Sequence, residues 1–168
     1  MPVDISGTWD MVSNHNFDGY MVALGIDFAT RKIANLLKTR KVIEQDGDVF
    51  TFTTVSSLKN YKSSFKLGEE FEEMTKGLDN RKCLSQVNWV GDHLVCVQKG
   101  EKKDRGWTHW LEGDELHLAH LLTAVWSCTA FALGKSGRSL GGAALRGMHG
   151  ECHQCSFSTL QAVSYVRG

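Results

Sequence analysis

The chain has 168 residues, enough for one domain with a sizeable core and too few for two ordinary domains. Its 19 lysines and arginines balance 19 aspartates and glutamates, so it lacks the basic excess that binding to nucleic acid or anionic membranes usually needs. The first residues do not resemble a signal peptide, and its 5 cysteines are typical of reduced thiols, so we expect a cytoplasmic protein.

The first predicted elements are a strand and a helix. Trp9 and Met11 alternate with polar residues inside Gly7–His15, and this period of two indicates a strand. Apolar residues then recur at helical spacing in Phe17–Leu24, and Asn16 directly before them is a suitable N-cap. The chain therefore predicts a helix immediately after its first strand.

A second helix and a series of short strands follow. Asp27 can cap a helix over Phe28–Lys38, whose apolar stripe consists of Ile33, Leu36 and Leu37. From residue 40 onward the period changes to two, with turn residues between short segments. The predicted strands are Lys41–Gln45, Val49–Val55, Leu58–Leu67, Glu70–Met74, Cys83–Trp89, Leu94–Lys99, Gly106–Leu111 and Glu115–Leu118. Strands at this spacing favour an antiparallel meander that closes as a barrel, with the two helices as a lid.

Several sequence blocks in these elements are similar to those of one protein family. The N-terminal blocks Gly7-Thr-Trp9-Asp-Met11 and Asn16-Phe17-Asp18-Gly19-Tyr20 resemble the signature of intracellular lipid-binding (fatty-acid-binding) proteins. More specific blocks resemble the cellular retinol-binding branch: Asp27-Phe-Ala-Thr-Arg31-Lys32-Ile33-Ala34, Asn80-Arg81-Lys82, Cys96-Val-Gln98-Lys99-Gly100-Glu101 and Arg105-Gly106-Trp107-Thr108-His109-Trp110. The resemblance runs from Met1 to Leu118. It implies an all-β, ten-stranded, antiparallel up-and-down clam-shaped barrel with a two-helix lid around one buried retinoid.

His109 and Lys41 are the predicted polar contacts to that ligand. Trp107, His109 and Leu111 share one face of a strand, so His109 should point inward with its neighbours. A lone inward histidine is more often a core residue, but the resemblance places the hydroxyl-recognising residue of the family here. Neutral imidazole can both donate and accept, as an alcohol requires. The resemblance also puts Lys41 inside the barrel, Trp107 against the polyene, and further cavity or portal contacts at Phe17, Tyr20, Met21, Ala34, Thr54, Leu58 and Leu78.

The resemblance implies a carrier and not an enzyme. Its ligand would be neutral, all-trans-retinol or retinaldehyde, because fatty-acid and retinoic-acid carriers place arginine where His109 stands, and a buried carboxylate without a partner is costly. No cofactor, metal or nucleic acid is implied. We expect a monomer that delivers retinol to metabolising enzymes and makes transient contacts with those enzymes or with membranes. Arg31, Lys32, Lys38 and Arg40, on and after the second helix, form a basic surface that could serve such contacts.

The sequence after Leu118 departs from the family. Relatives continue with a turn and a tenth strand that pairs with the first, carrying a polar cavity residue near the position of Thr129. Here Leu116–Leu122 and Val125–Leu133 have lengths suitable for substitute strands, with a weak turn at Thr123-Ala124 between them. Residues 134–150 lack a period and residues 151–168 are of mixed composition, so the segment 134–168 is predicted to be mostly disordered. We thus divide the chain into 1–118 (barrel body), 119–133 (possible closing strands) and 134–168 (tail).

Three hypotheses follow from this division. In the first, the barrel closes and carries retinol. In the second, the last strands are missing, the first strand is an exposed edge, and ligand binding is impaired or absent. In the third, the tail binds zinc through Cys152, Cys155, His149 and His153, although zinc sites normally draw two ligand pairs separated by a structured loop.

Overall fold

The described part of the chain forms ten strands and two helices. The computed structural model describes residues 3–76, 78–126 and 155–168, and of these it describes only the backbone for 123–126 and 155–160. The helices are α1 (Phe17–Leu24) and α2 (Phe28–Ala34). The strands are β1 (Gly7–His15), β2 (Arg40–Asp46), β3 (Val49–Val55), β4 (Tyr61–Lys66), β5 (Glu70–Met74), β6 (Lys82–Val90), β7 (His93–Lys99), β8 (Arg105–Glu112), β9 (Glu115–Trp126) and β10 (Cys155–Arg167).

The strands form one antiparallel sheet in the order β4-β3-β2-β1-β10-β9-β8-β7-β6-β5. The pairing of β1 with β10 joins the two ends of the chain, so the sheet curls into a barrel. Among the described residues no ladder joins β4 to β5, and the barrel is therefore nearly closed. The predicted ten-stranded antiparallel barrel with two helices after the first strand is confirmed.

Alternation of side chains along each strand builds the core. In β3, Phe50 and Phe52 are buried while Val49 is exposed, as expected for a strand with one face inward. Tight hairpins fix this register. Gly47 (φ +57°) and Gly113 (φ +59°) each occupy the first position of a two-residue turn, where a type II′ turn requires positive φ.

The helices differ from each other in what they bury. Helix α1 packs over β9 and β10 and buries Tyr20, Met21 and Leu24. In α2, Asp27 caps the helix as predicted, with its carboxylate accepting from the Thr30 N–H at 3.0 Å. The predicted extent of this helix, to Lys38, is wrong: α2 ends at Ala34 and buries no residue, and Leu36 of the predicted apolar stripe is 84% exposed. No helix in the described residues is long and apolar enough to cross a membrane.

The closing strand lies later in the chain than predicted. Strand β9 continues through Thr123 and Ala124 to Trp126, so the predicted turn at these two residues is wrong. Its partner is β10, which lies within the segment predicted to be disordered. That prediction is thus wrong for 155–167. The remainder of Val125–Leu133, including Thr129, and the first part of the predicted tail fall outside the described residues.

Strand β10 has the properties of a central strand. It pairs with β9 from Cys155↔Trp126 to Val166↔Glu115, and with β1 from His15↔Ala162 to Trp9↔Arg167, with one irregularity between Met11 and Ser13. From residue 161 to 166, buried side chains alternate with half-buried ones; the buried ones are Gln161, Val163 and Tyr165. The polar Gln161 in this inward series hides the period of two, and this is why the sequence did not predict the strand.

Candidate functional site

Lys41 and His109 form a buried pair inside the barrel. Lys41 lies on β2 and His109 on β8, and their side chains enter from opposite walls. The Lys41 Nζ lies 2.8 Å from the His109 Nε2, and the two residues are 6% and 2% exposed. The His109 Nδ1 is buried and has no hydrogen-bond partner among the described residues. The predicted inward position of both side chains agrees with their burial, whereas their direct contact was not predicted. Within the described residues, one ring nitrogen of His109 is open to a further contact.

Burial favours the neutral form of both members of the pair. It lowers the pKa of the Lys41 ammonium to about 7. It also lowers the pKa of His109 well below its ordinary value, with smaller contributions from Lys41 and His120. Neutral imidazole offers one donor and one acceptor. The pair can thus bond an uncharged polar group without a fixed counter-ion.

Aromatic rings surround the pair. The ring of Trp107 lies edge-on to His109 at 4.8 Å between centroids, and Phe52 lies 5.2 Å from the same imidazole. The Lys41 Nζ lies 5.6 Å from the Phe52 ring and 5.5 Å from the Tyr165 ring. Flat apolar walls around one small polar group are suited to an elongated, conjugated, mostly apolar ligand.

The other predicted contacts fall into two groups. Phe17, Tyr20 and Leu78 belong to one apolar cluster under α1, together with Leu24 and Leu122. Met21 is buried on the same helix. Thr54 is the direct cross-strand neighbour of Lys41, which places it beside the polar pair. Ala34 is half-buried at the end of α2, whereas Leu58 is 64% exposed in the β3–β4 connection, so the structure gives Leu58 no inward position.

A buried ion pair anchors the lid end of the barrel. The Arg105 guanidinium donates to both carboxylate oxygens of Asp79 at 3.0 Å, and each side chain is 2% exposed. Arg81 also donates to Asp79, at 2.8 Å, and to the carbonyl of Leu24 at the end of α1, at 2.8 Å. Burial opposes ionisation of Asp79, but hydrogen bonds from Thr75, Arg81 and Arg105 outweigh it and lower its pKa.

A second polar cluster lies near the gap between β4 and β5. The Glu73 carboxylate accepts from Tyr61 on β4 at 2.9 Å, from Ser85 at 2.9 Å and from Gln98 at 3.0 Å. The Tyr61–Glu73 bond joins the two strands that share no ladder, and the stacked rings of Phe65 and Phe71 do the same at 5.6 Å. Side-chain contacts therefore connect β4 to β5, between which the described residues form no backbone ladder.

The sequence reasoning missed three inward residues of the last strands: His120, Gln161 and Tyr165. His120 follows Leu116 and Leu118 at a spacing of two, and this period would have predicted its inward position if the predicted strand had not ended at Leu118. Gln161 and Tyr165 lie in a segment predicted to be disordered, and no local pattern marked them. Of the predicted zinc ligands, all but Cys155 lie outside the described residues, within which no group of three or more potential metal ligands occurs.

Comparisons with known proteins agree with this geometry. A model of the lipocalin / cytosolic fatty-acid binding protein family matches residues 6–123. Retinoid-binding protein 7 of Mus musculus is 70% identical over 118 residues, which is 70% of this chain and 88% of that protein. Retinol-binding protein 1 of Rattus norvegicus is 58% identical over 118 residues, which is 70% of this chain and 87% of that protein.

Solved structures extend the likeness to the whole barrel. Human cRBP IV superimposes with a TM-score of 0.75 at 48% identity, and the match covers 99% of this chain and 100% of that chain. A structure described as the REP1-NXSQ fatty acid transporter has a TM-score of 0.72 at 24% identity, covering 98% and 96% of the two chains. The second likeness concerns the fold alone.

Proposed function

Because the chain belongs to the lipocalin / cytosolic fatty-acid binding protein family, we propose that it binds a retinoid in its barrel and carries it within the cytoplasm. Its relatives are named retinoid-binding and retinol-binding proteins, and its family is one of binding proteins, not enzymes. The proposed ligand is all-trans-retinol or retinaldehyde, held without a cofactor. The observation that carries the proposal is the buried Lys41–His109 pair between aromatic walls.

The electrostatics of the cavity favour a neutral ligand over a carboxylate. Arg105 is a buried arginine, but both of its terminal nitrogens donate to Asp79, so its charge is already matched. Lys41, with its pKa lowered to about 7, is mainly neutral above that pH. A ligand carboxylate would therefore meet no permanent positive charge, and its burial would be costly. An alcohol or aldehyde requires only a hydrogen bond.

We propose a monomer that passes its ligand to retinoid-metabolising enzymes. Support comes from the surface of α2, where Phe28 and Ile33 are 64% and 52% exposed beside Arg31 and Lys32. Both cations lie near the Phe28 ring, at 5.7 and 5.1 Å from its centroid. An exposed apolar patch with basic neighbours is suited to transient contact with acidic protein surfaces or membranes. The alternative of an unclosed, non-binding barrel lacks support, because β10 pairs with both β1 and β9.

The test is a titration of the full chain with all-trans-retinol, following energy transfer from tryptophan to the polyene. We expect saturable one-to-one binding. His109→Leu combined with Lys41→Met removes the polar contacts and should weaken binding about tenfold, the value of roughly one buried hydrogen bond. Lys62→Met makes the same chemical change on the exposed face of β4 and should leave the affinity unchanged.

Two results would contradict the proposal in different ways. If retinol gives no saturable signal, the chain is not a retinol carrier. If retinol binds but the double variant binds it equally well, the polar pair is not the anchor. A parallel titration with all-trans-retinoic acid at pH 8 should give weaker binding than retinol, because Lys41 is then mainly neutral.

A further inference from the structure

His120 and Gln161 form an inward-facing polar pair at the lid end of the cavity. They stand directly opposite each other in the register of β9 and β10. The His120 ring lies 5.2 Å from the Tyr20 ring of α1, so this pair is close to the lid. Burial lowers the pKa of His120 to about 3, and its imidazole is therefore neutral at physiological pH. The pair thus offers uncharged donors and acceptors to the cavity.

Gln161 has hydrogen-bonding capacity that the described residues leave unused. Gln161 is 4% exposed and donates from Nε2 to the Asn14 Oδ1 at 2.9 Å, but its buried Oε1 has no partner among the residues that the structure describes. His120 is its direct cross-strand neighbour and carries a neutral imidazole. A buried acceptor without a donor is unfavourable, and such groups are usually satisfied by a ligand or by ordered water.

The distance between the Lys41–His109 pair and the His120–Gln161 pair is suited to an elongated ligand. His109 pairs with Leu118 on β9, and His120 is the next inward-facing residue of that strand. Gln161 lies opposite His120, on β10. Gln161 lies two strands away from His109 and two residues further along the strand direction. With the usual strand spacing and rise per residue, this places their backbones about 12 Å apart. This is comparable to the distance between the alcohol and the ring of a retinoid.

We propose that His120 and Gln161 form a second polar subsite, which recognises a hydroxyl group on the ring end of a retinoid whose other end lies at Lys41 and His109. The inference rests on the proposed function and deepens it: the preferred ligand is a ring-hydroxylated retinoid. A hydroxyl fits better than a ketone, because the unused Gln161 Oε1 is an acceptor and needs a donor.

The test compares three probes on the full chain by the same tryptophan-to-polyene titration: all-trans-retinol, 4-hydroxyretinol and 4-oxoretinol. We expect 4-hydroxyretinol to bind about tenfold more tightly than retinol, as one buried hydrogen bond allows, with 4-oxoretinol between them. His120→Met combined with Gln161→Met keeps similar side-chain lengths and should abolish this preference. Ser164→Ala, on the outward face of β10, should retain it.

The outcomes separate this inference from the proposed function. Saturable retinol binding without a preference for the hydroxylated probe would overturn the subsite alone and identify it as a place for ordered water. A preference that persists in the double variant would also overturn it. Failure of retinol itself to saturate would contradict the proposed function, and tight binding of 4-hydroxyretinol in the same experiment would still support the subsite.

Discussion

The barrel body and its closing strand reach the same architecture from different kinds of sequence. Strands β1–β9 lie almost wholly within the residues that match the family model, whereas β10 lies beyond them. Yet Val163 and Tyr165 of β10 join the same core cluster as Trp9 and Ile43 of the body. Closure of a barrel therefore requires inward alternation and register, and these can be supplied by a segment without the family signature.

The two regions are alike in how they satisfy their buried polar groups. In the body, Asp79 and Arg105 are paired with each other, and Glu73 accepts hydrogen bonds from three side chains. Among the described residues, however, buried polar atoms without a partner occur both in the body, as at His109 Nδ1 and Arg105 Nε, and in β10, at Gln161 Oε1. The closing strand thus matches the body in packing and, like the body, keeps an unpaired polar atom.

Removing residues 155–168 tests this comparison most severely. Without β10, the edges of β1 and β9 lose their partners, and the core loses Val163 and Tyr165. We expect the truncated chain to lose its cooperative thermal transition, measured by circular dichroism against the full chain. A sharp transition at the same temperature would mean that the body closes without β10 and that the two regions are independent.

Neighbouring residues of β10 give a finer test of its inward face. Tyr165 is 4% exposed in the core cluster, and Tyr165→Ala should lower the free energy of unfolding by about 3 kcal/mol through loss of packing. Val166 points to the other face and is half-buried, so Val166→Ala should cost less than about 1 kcal/mol. Urea unfolding of both variants measures the difference; equal effects would contradict the register.

The dependence of stability on pH tests whether β10 helps to bury Lys41. The folded pKa of about 7 lies below the ordinary 10.5, so between these values the unfolded chain binds more protons and stability rises with pH. From pH 6 to pH 8.5, the wild type should gain about 2 kcal/mol relative to Lys41→Met. Urea unfolding at both pH values measures this gain. A constant difference would mean that Lys41 is solvated and that Tyr165 does not cover it.

Most of the body could be predicted from its pattern. Alternation marked β1–β8, and glycine and aspartate marked the hairpin turns at Gly47 and Gly113. Strand alternation and the resemblance predicted that Lys41 and His109 point inward, but not that they contact each other. The end of α2 and the start of β4 could not be predicted, because tertiary packing determines them. Leu36, Leu37 and Leu58 are apolar and therefore extended the predicted elements, but the sequence does not show whether such residues contact the core.

The last two strands could not be predicted for a different reason. Strands β9 and β10 pair with each other although residues 127–154 lie between them, so no short turn sequence after Trp126 marks them as a hairpin. In addition, the inward Gln161 interrupts the apolar alternation of β10. The Asp79–Arg105 ion pair could not be predicted either, because no local pattern relates two charged residues that are 26 positions apart in the sequence. Long-range partners of this kind are defined by the closed barrel and not by any single segment.

The position of β10 in the chain has a consequence for synthesis. Its partner β1 is among the first strands to leave the ribosome, but Trp9 pairs with Arg167. At about 5–20 residues per second, the residues between Trp126 and Arg167 need roughly two to eight seconds to be made. Until β10 has been made, β1 lacks its partner and presents an open edge, and open edges are sites of aggregation. The barrel can therefore close only after Arg167 has been made, since Trp9 has no partner on β10 before then.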